Sequence, residues 1–253
     1  MCIRKRTYFW GRNVKQFAIL GLSYFGKNVL DELLELDAEI LIIDKDREVI
    51  DSYNDSPVSA VVMDVMNEES LRRVLPRGLD GVVIDMGDKI EASILATSYC
   101  RKLGVPRIFV KAVTEGHAEI LELVGATKII FPNREAAKRI TPLLVSLGLL
   151  NYLPVSGSLV IAELEVPERF FGMSLLEANL RRSYGVNLIS VRNGEKEEYG
   201  LFTPDYKFRP GDIALVSGND QSIESFAERS AVKKRRDPAL QGIGRLFGRK
   251  KGK

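Results

Sequence analysis

From residue 16 the chain alternates short, nearly continuous apolar runs with stretches of helical periodicity. The runs at 17–20, 40–43, 60–63, 81–86, 107–110 and 128–131 predict six strands with both faces covered, as in a parallel sheet flanked by helices. Between them, Val29, Leu30, Leu33, Leu34 and Leu36 predict a first helix. Ile90, Ile94, Leu95 and Leu103 predict a later one, which Gly104 and Pro106 stop. Repeated strand–helix units of this kind predict an α/β fold, a doubly wound Rossmann parallel sheet over 16–132.

After Pro132-Asn133 the residues Ala136, Ala137, Ile140, Leu143, Leu144 and Leu147 recur at helical spacing, and Pro142 predicts a kink. The apolar run 147–153 then reads as a linker, so 133–157 is taken as a helix and linker that pack on another subunit. From Ser158 the rhythm becomes strand-rich. A strand is predicted at 159–166, a short helix at 174–182, strands at 187–192 and 213–217, and a closing helix at 221–228, with turns at Pro204-Asp205 and Arg209-Pro210-Gly211-Asp212. This is a smaller C-terminal α+β domain over 158–228, followed by a basic tail at 229–253.

The 253 residues are 45% apolar and 28% charged, which suits two folded domains and excludes global disorder. No run is long enough to span a membrane and no secretory signal is visible, so a cytoplasmic location is expected. Cys2 and Cys100 are isolated thiols, pointing to neither a zinc site nor a disulfide. Charge is polarised. Residues 1–15 form a basic extension with five cations and no acid, and 233–253 carry +8; removing both from the total of +3 leaves 16–232 at −10. Within the tail, Ala239, Leu240, Ile243, Leu246 and Phe247 recur at helical spacing among basic residues, which suits contact with an anionic membrane as well as a solvated tail.

The candidate chemistry lies in Gly21-Leu22-Ser23-Tyr24-Phe25-Gly26, between the first strand and the first helix. Gly21 allows the tight turn and Gly26 close helix packing; Ser23 replaces the middle glycine, where its hydroxyl is positioned by sequence to donate to a phosphate. Asp44, ending the second strand, suits the ribose hydroxyls, with Lys45 beside it. Asp64-Val65 and Asp85-Met86 end the third and fourth strands at the edge where ligands sit, and either aspartate reads equally well as a helix cap. His117 reads as a surface or capping residue. A hydrolase elbow lacks its second glycine, and neither metal ligands nor an acid–base pair are visible.

Residues 16–26, then Asp44, Lys111-Ala112, Gly125-Ala126-Thr127 and Ile130-Phe131-Pro132 resemble the RCK (KTN) domain of Ktr and Trk potassium-transport regulators. Residues 167–172, Tyr184-Gly185-Val186-Asn187, Pro204-Asp205-Tyr206 and Gly211-Asp212 resemble that family's C-terminal (TrkA_C-like) subdomain. The resemblance implies a non-enzymatic cytoplasmic subunit at the inner face of the membrane. It would assemble as a dimer or octameric ring beneath a potassium-translocating membrane subunit, with the apolar helix as a crossover helix onto a neighbouring lobe. It implies nucleotide sensing, by AMP, ADP, ATP or NAD(H), through Gly21 to Gly26, Asp44, Lys45, Asp64, Val65, Asp85, Met86 and Lys111. ATP-sensing members typically carry arginine at Tyr24 and glutamate at Asn133, so ATP preference and a metal are not implied. Arg181 and Asn187 match a cyclic di-AMP motif of the family, and a structural salt bridge at Arg181 reads equally well.

Two rival functions fit parts of the pattern. An NAD-dependent oxidoreductase would use the same first domain and would need a catalytic base in the second. Nucleic-acid binding would rest on the basic ends, but the body is acidic and has no recognition motif, so no nucleic-acid partner is expected.

Overall fold

A computed structural model describes residues 14–36, 38–146, 148–194, 198–200 and 202–228. The basic extension up to residue 13 and the tail from 229 lie outside them, as do Cys2 and the tail's helical pattern. The chain divides into two compact units after Asn133.

In the first unit the apolar runs form β1 (Lys15–Leu20), β2 (Ala38–Asp44), β3 (Ser59–Val62), β4 (Gly81–Ile84), β5 (Ile108–Lys111) and β6 (Lys128–Ile130). They make one sheet in the order β3-β2-β1-β4-β5-β6, with every pairing parallel. The connecting helices are α1 (Tyr24–Leu34), α2 (Arg47–Asp51), α3 (Glu68–Val74), α4 (Ile90–Lys102) and α5 (Glu115–Val124). Their apolar stripes cover opposite faces of the sheet. Leu30 of α1 and Ile50 of α2 pack with Ile19, Ile40 and Ile42, whereas Leu71, Ala96, Cys100 and Leu121 pack on Ala18, Leu20, Ile84 and Val110. Side chains of successive strand residues point to alternate faces, so continuous apolar strands are what two helical layers require. Cys100 is fully buried, and burial pushes its thiol up to about 12.

β1 and β4 are neighbours, but the crossovers that follow them run in opposite directions, and the sheet opens a crevice at their carboxyl ends. Two helices, α1 and α4, begin beside that crevice.

α6 (Pro132–Val145) continues through Pro142, and the Ser146 N–H donates to the Pro142 carbonyl. None of its residues is buried; Ile140, Leu144 and Val145 are 53%, 80% and 78% exposed. The expected linker is instead largely a strand, β7 (Leu149–Ser156), paired antiparallel with β8 (Leu159–Glu165). β7 is an edge strand, and most of its side chains are at least partly exposed, so the alternation that marks a half-buried strand is missing from its sequence.

The second unit is a four-stranded antiparallel sheet, β7-β8-β10-β9, completed by β9 (Asn187–Asn193) and β10 (Asp212–Gly218). The single helix expected at 174–182 is two short ones, α7 (Leu175–Ala178) and α8 (Leu180–Tyr184), broken where Asn179 turns left-handed at φ 42°. Asparagine tolerates that conformation better than most residues with a side chain. α9 (Asp220–Ala227) closes the unit, burying its own Phe226 in the core that holds Phe170 and Phe208. Phe170 meets Tyr184 edge-on at 5.4 Å and Phe226 at 5.3 Å, and Arg169 donates to the Ser225 and Phe226 carbonyls at the end of α9.

A candidate nucleotide-binding cleft

The β1–α1 turn is shaped by its two glycines. Gly21 adopts φ +84°, and a Cβ there would stand 2.2 Å from the Asp85 carbonyl oxygen. At Gly26 a Cβ would stand 2.6 Å from the Gly21 carbonyl oxygen, so α1 lies against the turn only because that position is bare. The Gly21 N–H donates to the Ile43 carbonyl at 2.8 Å, tying the turn to β2.

Asp44 braces the turn from the other side. One carboxylate oxygen accepts the Leu22 N–H at 2.8 Å, and the other accepts the Asp46 N–H at 3.0 Å. Each oxygen keeps a second lone pair, and Asp44 is partly exposed to the cleft, so accepting two ribose hydroxyls remains within its capacity.

Asp85 is built into the protein instead. Its side chain is fully buried and accepts the Gly26 N–H at 2.8 Å, the Gly87 N–H at 3.3 Å and the Ser23 hydroxyl. Ser23 is the N-cap residue of α1 but makes no side-chain cap of its own; Asp85 supplies the missing cap from across the sheet edge. The Lys111 ammonium, 3.0 Å away, neutralises it. Two expectations change as a result. The Ser23 hydroxyl has one proton and gives it to Asp85, so it is not a phosphate donor. Lys111 is committed to Asp85 and does not line the cleft. Asp64 does line it, and its carboxylate accepts the Met66 N–H at 3.0 Å, capping a turn rather than a helix.

Together these elements enclose a cavity of about 470 Å³. Gly21, Leu22, Ser23, Asp44, Lys45, Asp64, Val65, Asp85 and Met86 line it as the sequence suggested. Tyr24 does not, being 83% exposed. Phe25 faces a separate hollow along α1 with Val29 and Leu33, and Gly26 is buried beneath the turn. The sequence reading missed Gly87, Asp88 and Lys89, which line the wall after β4; a charged Gly-Asp-Lys triplet between a strand and a helix was the available signal. Beyond the glycine turn, the Tyr24 and Phe25 N–H groups at the start of α1 have no intrahelical acceptor, a setting that favours an anion.

His117 is buried, not at the surface. Its ring bridges α4 and α5: Nδ1 accepts the Val113 N–H at 3.3 Å, and Nε2 lies 2.8 Å from the Ser93 hydroxyl, whose own proton goes to the Ile90 carbonyl. This pattern fixes the neutral tautomer with its proton on Nε2. Its backbone N–H is capped by Thr114. Burial holds the imidazole below its ordinary 6.5. Below about pH 6.5 the unfolded chain therefore takes up a proton that the folded chain refuses, and stability falls as the pH drops from there through the folded value. Denaturant titrations from pH 8 to pH 5 should show this acid-side loss, and His117→Gln should remove that component. An unchanged pH profile in the variant would show that the ring is not held neutral.

Arg181 and Asn187 are both exposed, at the last turn of α8 and the first residue of β9, on either side of the Gly185 turn. Among the described residues no group of three potential metal ligands occurs, and no helix is long and apolar enough to cross a membrane.

Residues 17–132 match the TrkA-N domain model, and residues 159–231 match the TrkA-C domain model. The chain is 32% identical over 215 residues to the Ktr system potassium uptake protein C of Bacillus subtilis, covering 85% of this chain and 97% of that protein. It is 29% identical over 216 residues to Ktr system potassium uptake protein A of the same organism, covering 84% and 95%. Among solved structures, the GsuK RCK domain superposes with a TM-score of 0.61 at 15% identity over 88% of this chain, and the GsuK channel bound to NAD with 0.61 at 15% over 90%. The chain spans 49% and 43% of those two structures' lengths, and at such identity the likeness is one of fold. With both domain models matched in order and a Ktr protein aligned along nearly its whole length, the chain belongs to the RCK (KTN) family of Ktr/Trk-type potassium transport proteins.

Proposed function

We propose that this protein is the cytoplasmic regulatory subunit of a potassium uptake channel or transporter, binding adenine nucleotide or NAD(H) in the cavity and thereby gating a membrane-embedded subunit. The observation that carries the reading is the pairing of a glycine turn at a helix N-terminus with Asp44 at the end of the adjacent strand, both lining one cavity. The nucleotide acts as a signal, not a reagent. The one histidine is locked between α4 and α5, and Asp85 is sealed by Lys111, so neither is free to serve as a base.

A nucleotide shifts the gate only by as much as it binds one conformation of the assembly better than another. The exposed apolar stripe of α6 supports packing on a neighbouring subunit, in a dimer or a ring. Arg181 and Asn187 are the residues on which cyclic di-AMP binding in the second unit would rest.

Equilibrium binding of AMP, ADP, ATP, NAD⁺ and NADH to the purified chain, with oligomer mass measured alongside, tests this reading. Asp44→Ala should weaken nucleotide binding by about 1 to 3 kcal/mol. Unaltered affinity would remove Asp44 from the site, and a strictly monomeric chain that turns over NADH would replace the sensor with an oxidoreductase.

A further inference from the structure

Resting on the nucleotide reading, we infer that Lys89 is the cation that reads the second phosphate, so that the cleft favours nucleotides that carry a second phosphate over AMP. The cavity wall is acidic. Asp44, Asp46, Asp64 and Asp88 line it, against the cations Lys45 and Lys89. Lys111 is spent on Asp85, and Tyr24 brings no charge. Lys45 directly follows Asp44 and so belongs to the ribose end. Lys89 stands on the opposite wall, at the N-cap of α4, and pairs with no carboxylate among the described residues.

A nucleotide with its ribose on Asp44 runs its phosphates past the Gly21 turn toward the switch point between β1 and β4. A second phosphate then arrives at the wall that Lys89 occupies. AMP ends before it. NAD⁺ and NADH carry a second phosphate as well, and it meets the same ammonium.

The test is equilibrium binding of AMP, ADP, ATP, NAD⁺ and NADH to the full chain and to Lys89→Gln and Lys89→Glu variants at fixed ionic strength. Lys89→Gln should weaken ADP and ATP by about 5-fold, the scale of one partly solvated ion pair, and leave AMP nearly unchanged. Lys89→Glu should deepen the ADP loss, and NAD⁺ and NADH should weaken in the same direction. An unchanged ADP-to-AMP ratio with AMP still bound would overturn the assignment of Lys89 alone. Equal losses for AMP and ADP would do the same, because they would mark a general field effect. If no nucleotide binds the unsubstituted chain, the nucleotide reading falls and this inference with it.

Discussion

Gly21→Ala is expected to cost about 3 kcal/mol or more of folding stability and to abolish nucleotide binding with it. Two penalties coincide there. The backbone at φ +84° is left-handed, which an alanine adopts only with strain. Its Cβ would also sit 2.2 Å from the Asp85 carbonyl oxygen and 2.8 Å from Met86 Cε. The methionine can swing aside, but the carbonyl belongs to the backbone leaving β4 and cannot yield without pulling Asp85 off the Gly26 N–H. Thermal or denaturant unfolding measures the cost. A variant as stable as the parent would show that the turn relaxes freely and is not a rigid anion cradle.

Removing the Lys111 ammonium should be nearly as damaging. Lys111→Met keeps most of the side chain's apolar length but leaves the fully buried Asp85 carboxylate without its counter-charge, and breaking such a pair costs about 3 to 5 kcal/mol. The three remaining donors to Asp85, from Ser23, Gly26 and Gly87, moderate the loss, so the lower end of that range is expected. Adding Asp85→Asn should restore part of it, because an amide carbonyl still accepts the Gly26 N–H while carrying no charge. A double-mutant cycle by chemical denaturation reads the coupling directly. Near-additive losses would mean that Lys111 and Asp85 act independently and that the α1 cap needs no cation.

The two substitutions probe features that were legible in the sequence to different degrees. The Gly21 turn announced itself locally, because a strand, a glycine pair and a helix follow one another within a dozen residues, and the demand for glycine is set by backbone sterics. Asp44 was legible for the same reason, its place being the end of the next apolar run. The Asp85–Lys111 pair was not. Asp85 was picked out as a ligand candidate from its place at a strand end and Lys111 from the family resemblance, yet burial and mutual charge turn them into a brace beneath the loop. Similarly, Ser23 keeps the place of a phosphate donor in the motif but gives its proton to Asp85. Lys89 was overlooked because the candidates at the end of the fourth strand stopped at Asp85-Met86, and a lysine three residues further on reads equally well as solvated.

His117 and β7 show the other ways in which local reading falls short. A histidine two residues inside a helix after a capping threonine looks exposed, and only the packing of α5 on α4 buries it against Ser93. β7 carries apolar residues on both faces along with Pro154, so period and composition pointed to a linker, until β8 came to pair with it. By itself, then, the sequence determined the strand–helix alternation, the glycine turn and the place of Asp44 at the end of β2, all set by steric and hydrophobic demands acting over a few residues. The tertiary structure alone decided which charged groups face the cavity and which are neutralised beneath it, because burial and pairing depend on partners brought together from distant strands.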